Sequence, residues 1–61
     1  MKTILITGCK DPHRWYANHI GESFPHLPDP DEERCREWKT REPAGYTNFI
    51  QFTDGEIKDT E

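Results

Sequence analysis

Four side chains of this 61-residue sequence are of the types zinc prefers: Cys9, His13, His26 and Cys35. A structural zinc site usually brings a close ligand pair from each end, and here the second pair, His26 and Cys35, is separated by eight residues that include Pro28 and Pro30. Cys9 and His13 meet only if Pro12 opens a helical turn. The expectation is therefore a chain without metal or cofactor, with a zinc-stabilised mini-domain as the third functional reading. Cys9 with His13 or His19 is also the one candidate for a nucleophile with its base. So short a chain promises no deep cleft to exclude water, and no enzyme is expected. The acid pairs Asp31–Glu32 and Asp54–Glu56 read as solvated loop and turn residues.

The remaining chemistry is that of contact surfaces. Trp15 and Tyr16 are adjacent, so on a short helix or turn they cannot both point inward. Packing alone has Trp15 in the core and Tyr16 at its rim; a binding role has the outer ring anchor a partner, flanked by Arg14 and Arg41, because Trp, Tyr and Arg dominate interface hot spots. Trp38 and Tyr46 read as a cross-strand aromatic pair. Asp29, Asp31, Glu32 and Glu33, with Asp54, Glu56, Asp59 and Glu61, could make a negative face, but Arg34, Arg36, Lys39 and Arg41 lie among them and dilute it.

The elements that must position these groups are small. Sixty-one residues make one domain, residues 1–61, that buries only about 60% of its unfolded surface. The aliphatic residues are mostly Ile4, Leu5, Ile6, Ile20, Leu27, Ile50 and Ile57, so three Phe, two Trp and two Tyr supply much of the core. So thin a core benefits from a second subunit, and a homodimer is compatible with it. The net charge of −4 with scattered Lys and Arg argues against binding to duplex DNA. The densest aliphatic patch is Ile4–Ile6, so neither an export signal nor a membrane span is expected, and the cysteines should stay reduced in a cytoplasm.

Met1 to Gly8 reads as a first strand with Ile4 and Ile6 on one face. Asp11 before Pro12 is a helix-start signal and Gly21 a stop, which places one or two helical turns over Pro12 to His19 as a lid on the sheet. Glu22 to Leu27 reads as a second strand with Phe24 inward. Asp29 to Glu33 reads as a solvated connection with a helical turn near Pro30 to Arg34. A hairpin follows: a strand from Arg36 to Glu42, a type I turn over Glu42-Pro43-Ala44-Gly45, and a strand from Tyr46 to Phe52. The turn Thr53-Asp54-Gly55 leads to a closing strand at Glu56 and Ile57, with a polar tail from about residue 58. The pattern predicts a mainly β, SH3-like five-stranded barrel with a short helical insertion after strand 1.

Two segments, Ile6-Thr7-Gly8-Cys9-Lys10-Asp11-Pro12-His13-Arg14-Trp15-Tyr16 and Arg41-Glu42-Pro43-Ala44-Gly45-Tyr46-Thr47-Asn48-Phe49-Ile50, resemble small uncharacterised phage and prophage proteins. The resemblance implies an SH3-like accessory protein made in a bacterial host cytoplasm and brings no catalytic residues. The first functional expectation is binding to a bacterial host protein, to inhibit or redirect it, through Arg14, Trp15, Tyr16, Asp31, Glu32, Arg41 and Tyr46, a surface joining the Asp11–His19 lid to the acidic insertion. The alternative is a small nucleic-acid-binding barrel that stacks and contacts phosphates through Arg14, Trp15, Tyr16, Arg36, Arg41 and Tyr46.

Overall fold

Strand β1, Lys2–Ile6, is the centre of the molecule: alternation sends Ile4 and Ile6 into the core, and strands pair on both its sides. The computed structural model of the protein describes residues 1–59. On one side β1 pairs antiparallel with β2, Ser23–Pro25, with Ile4 opposite Phe24. On the other it pairs with β5, Gly55–Asp59, with Ile4 opposite Ile57. A second sheet is the hairpin of β3, Glu37–Arg41, and β4, Thr47–Gln51. Its turn is closed by the Gly45 amide on the Glu42 carbonyl at 2.8 Å, with Gly45 at a φ of 96° that favours glycine.

Among the described residues the backbones of the two sheets are joined by one isolated bridge, Leu27 to Lys39, backed by the Thr40 hydroxyl donating to the Pro25 carbonyl at 2.7 Å. The strands thus follow the order β5-β1-β2-β3-β4, with β4 and β5 outermost. The predicted mainly β class and the five strands hold. Closure into a barrel does not: β4 and β5 do not pair with each other, and a 3₁₀ turn, Phe52–Asp54, carries the chain between them. Gly55 after that turn is fixed by space. A Cβ there would lie 2.9 Å from the Leu5 carbonyl oxygen and 3.1 Å from Ile4 Cγ2.

The core is Ile4, Ile6, Tyr16, Phe24 and Ile50, with Cys9, Trp15, Trp38 and Ile57 packed against it. Trp38 stacks on Phe52, ring centroids 4.5 Å apart, and not on Tyr46, which is 71% exposed at the hairpin turn.

Four predicted features differ. Pro12 to His19 is not helical but a run of turns closed three residues apart, Arg14 to Asp11, Ala17 to Arg14 and His19 to Tyr16, opened by the Asp11 side chain accepting from the His13 amide. A helix here would be short and fixed in register. The turns instead leave Tyr16 free to reach inward, and that tertiary contact wins over the local helix signal. Strand β2 is shorter than Glu22 to Leu27, since Leu27 pairs only as an isolated bridge. The helical turn near Pro30 falls later, as α1, Glu32–Cys35, ended by Arg36 at a left-handed φ of 56°. Asp29 uses its carboxylate on the Asp31 amide, and Glu32 bonds His26 instead of returning to complete a capping box. Nor is residue 58 the start of a tail: Lys58 and Asp59 pair with Thr3 and Lys2, and only residues 60–61 of the tail fall outside the described part.

Candidate partner-binding surface

The loop of residues 7–22 is anchored to the hairpin by two adjacent rings. Tyr16 is fully buried; its hydroxyl donates to the Asp54 carboxylate and accepts from the Gln51 amide at 3.4 Å. Burial, then the hydrogen bond to Asp54, pushes the Tyr16 phenol well above its ordinary pKa, so the ring stays neutral and remains a donor. Asp54, itself buried, accepts from the Thr7 and Gly8 amides through its backbone carbonyl, at 2.9 and 3.3 Å. The loop's start and its middle are thus tied to one residue.

Trp15 lies half-buried beside Tyr16, edge-on to Phe24 at 5.1 Å, and its indole Nε1–H donates to the Phe49 carbonyl at 2.9 Å. That carbonyl faces away from β3. The Phe49 amide, which also faces away, is taken by the side chain of its neighbour Asn48 at 2.9 Å. The outer edge of β4 is therefore occupied by Trp15, Tyr16 and Asn48 where another strand would otherwise pair.

Above this seam lies an open groove of about 470 Å³. Asp11, His13, Arg14 and Trp15 form one wall, and Glu37, Asn48 and Phe49 the other. Phe49 is 40% exposed and Trp15 half-buried, so the groove is lined by two aromatic rings among polar groups of both charges. Aromatic residues and arginine are enriched at interface cores, and tryptophan and arginine among the side chains that carry most of the binding energy there.

No family model, curated protein or solved structure matches this chain.

Of the residues the sequence singled out, Arg14 and Trp15 line the groove. Tyr16 does not: at 0% exposure it cannot touch a partner, and it is the core ring where the sequence favoured Trp15. Asp31 pairs with Arg34 at 3.2 Å and Glu32 with His26 at 3.0 Å, the first pair exposed and the second half-buried; neither acid reaches the groove. Arg41 and Tyr46 flank the hairpin turn. The lid therefore joins the hairpin and not the acidic insertion. Phe49 and Asn48 were legible only as alternating strand positions; the signal that could have raised Phe49 is a large ring on the strand face opposite Ile50.

The zinc set is not assembled. The Cys9 thiol donates to the Asp11 carbonyl at 3.0 Å, His26 is held by Glu32, and Cys35 is exposed on α1. Among the described residues no three His, Cys, Asp or Glu side chains are grouped to hold a metal ion. His19, one of the two bases considered for Cys9, is engaged by Glu22 at 2.9 Å. The stacking surface of the nucleic-acid reading is divided: Arg14 and Trp15 line the groove, Arg36 lines a separate depression with Gln51, Phe52 and Thr53, and Tyr16 is buried. No helix among the described residues is long and apolar enough to cross a membrane.

Proposed function

We propose that the chain is a small protein-binding module, a phage or prophage accessory protein that docks on a bacterial host protein in the host cytoplasm and inhibits or redirects it. The observation that carries the binding reading is the groove between the 7–22 loop and the hairpin, which Trp15 and Phe49 line together with Arg14 and Glu37. An SH3-like fold is supported by the strand order β5-β1-β2-β3-β4 and by the 3₁₀ turn before β5; the phage origin is supported by the resemblance of the two motif segments. The contact residues in this reading are Asp11, Arg14, Trp15, Glu37, Asn48 and Phe49. The chain binds and does not catalyse.

The test is capture from bacterial lysate with and without nuclease, by wild type and by Phe49→Ala and Arg14→Glu variants shown to be folded. Wild type is expected to retain one stoichiometric, nuclease-resistant protein that both variants lose. Recovery that disappears with nuclease and falls steeply with salt contradicts the reading and supports the nucleic-acid alternative.

A further inference from the structure

Strand β5 is the outermost strand of its sheet and pairs only with β1 among the described residues. The Thr7 amide donates to the Asp54 carbonyl, and the antiparallel register alternates from that pair through Leu5–Glu56 and Thr3–Lys58. Glu56 and Lys58 therefore turn their backbone groups toward β1, while Gly55, Ile57 and Asp59 turn theirs outward. The side chains alternate the other way. Glu56 and Lys58 stand together on the exposed face, 3.2 Å apart, and Ile57 lies on the core face, half-buried.

We propose that β5 pairs antiparallel with β5 of a second copy about a two-fold axis at Ile57, giving a continuous six-stranded sheet. Centred there, Ile57 bonds Ile57 of the second copy in both directions, and Gly55 and Asp59 bond the reciprocal pair, so every outward backbone group of the strand is used. Glu56 then lies directly opposite Lys58 of the second copy, and Lys58 opposite its Glu56. Charge selects this register. Moving the centre to Glu56 puts Glu56 opposite Glu56, and moving it to Lys58 puts Lys58 opposite Lys58, each a like-charge cross-strand pair. The strand is thus complementary to itself in one arrangement, as an isologous contact requires. This inference does not depend on the groove or its ligand.

The test is sedimentation at low salt over a concentration series, with Glu56→Lys, Lys58→Glu and the double exchange, each variant first melted to show it is folded. Net charge and register give different answers. Glu56→Lys takes the chain from −4 to −2 and Lys58→Glu from −4 to −6, so mutual repulsion between copies alone would strengthen association in the first and weaken it in the second. The paired register instead predicts a reversible wild-type dimer, about tenfold or greater weakening in both single variants, and recovery in the double exchange. A synthetic chain N-methylated at Ile57, an amide β1 does not use, should be monomeric while staying folded. A wild type monomeric throughout the series, opposite shifts in the two single variants, a double exchange that does not recover, or an undiminished dimer in the N-methylated chain overturns the proposal.

Discussion

Strands β4 and β5 each have five residues and each ends the strand order, yet their outer edges are finished differently. Along β4 three outward backbone groups are taken by side chains: the Phe49 carbonyl by the Trp15 indole, the Gln51 amide by the Tyr16 hydroxyl and the Phe49 amide by Asn48. Along β5 no side chain of the loop takes an outward backbone group among the described residues, and the exposed face carries an acid and a base, Glu56 and Lys58. An edge capped by side chains from a distant loop also acquires the groove that those side chains form. An edge guarded only by charge can still pair, provided the incoming strand presents the opposite charges in register. A small fold of two sheets can in this way keep the edge of one for an unlike partner and the edge of the other for its own copy.

The comparison is broken most severely at Tyr16. Replacing it with alanine empties the core and removes the donor to Asp54, a loss of about 3–5 kcal/mol. A chain of this length has roughly 3–9 kcal/mol in all. A Tyr16→Ala protein should therefore lack a cooperative melt or show one shifted far down, and one that melts like wild type contradicts the role given to this ring. Tyr16→Phe keeps the volume and leaves the buried Asp54 carboxylate without its hydroxyl, a cost of about 1–3 kcal/mol in denaturant titration.

The same ring gives a pH dependence with a defined sign. Because the folded-state pKa of Tyr16 is raised, the unfolded chain loses its phenol proton first. Stability contributed by the neutral ring is full below about pH 10 and declines as pH rises beyond it. Tyr16→Phe should remove that alkaline decline; an unchanged decline in the variant would assign it elsewhere.

Trp15→Phe sharpens the comparison more gently. It removes one hydrogen bond, about 1 kcal/mol, and exposes the Phe49 carbonyl on the β4 edge. The Tyr16 and Asn48 caps on the Gln51 and Phe49 amides remain, so the variant should keep the wild-type association state over a concentration series while losing that stability in denaturant titration. The smallest effect on stability belongs to Phe49→Ala, within about 0.5 kcal/mol because the ring is partly exposed. Loss of the captured partner without loss of stability would separate the groove from the fold.

Local pattern carried β1, Phe24 inward and the Glu42–Gly45 turn, because alternation and turn chemistry are properties of neighbouring residues. It did not carry the contacts that build the site. Tyr16 meets Asp54 across 38 residues, and Trp15 meets Phe49 across 34. Neither pair has a spacing that marks it. Without them Asp11-Pro12 reads as a helix start, Trp15 reads as the inner ring, and the edge of β4 reads as one face of a closed barrel. Arg14 and Trp15 could be singled out by type alone; Glu37, Asn48 and Phe49 join them only through those long-range bonds.

Amide hydrogen exchange by NMR, at low and at high protein concentration, tests the difference between the two edges directly. The outward amides of Phe49 and Gln51 should be protected at both concentrations, because their acceptors lie within the same chain. Those of Ile57 and Asp59 should exchange fast when dilute and slow markedly when concentrated. Fast exchange at Phe49 and Gln51 in the folded protein, or no concentration dependence at Ile57 and Asp59, would contradict the account.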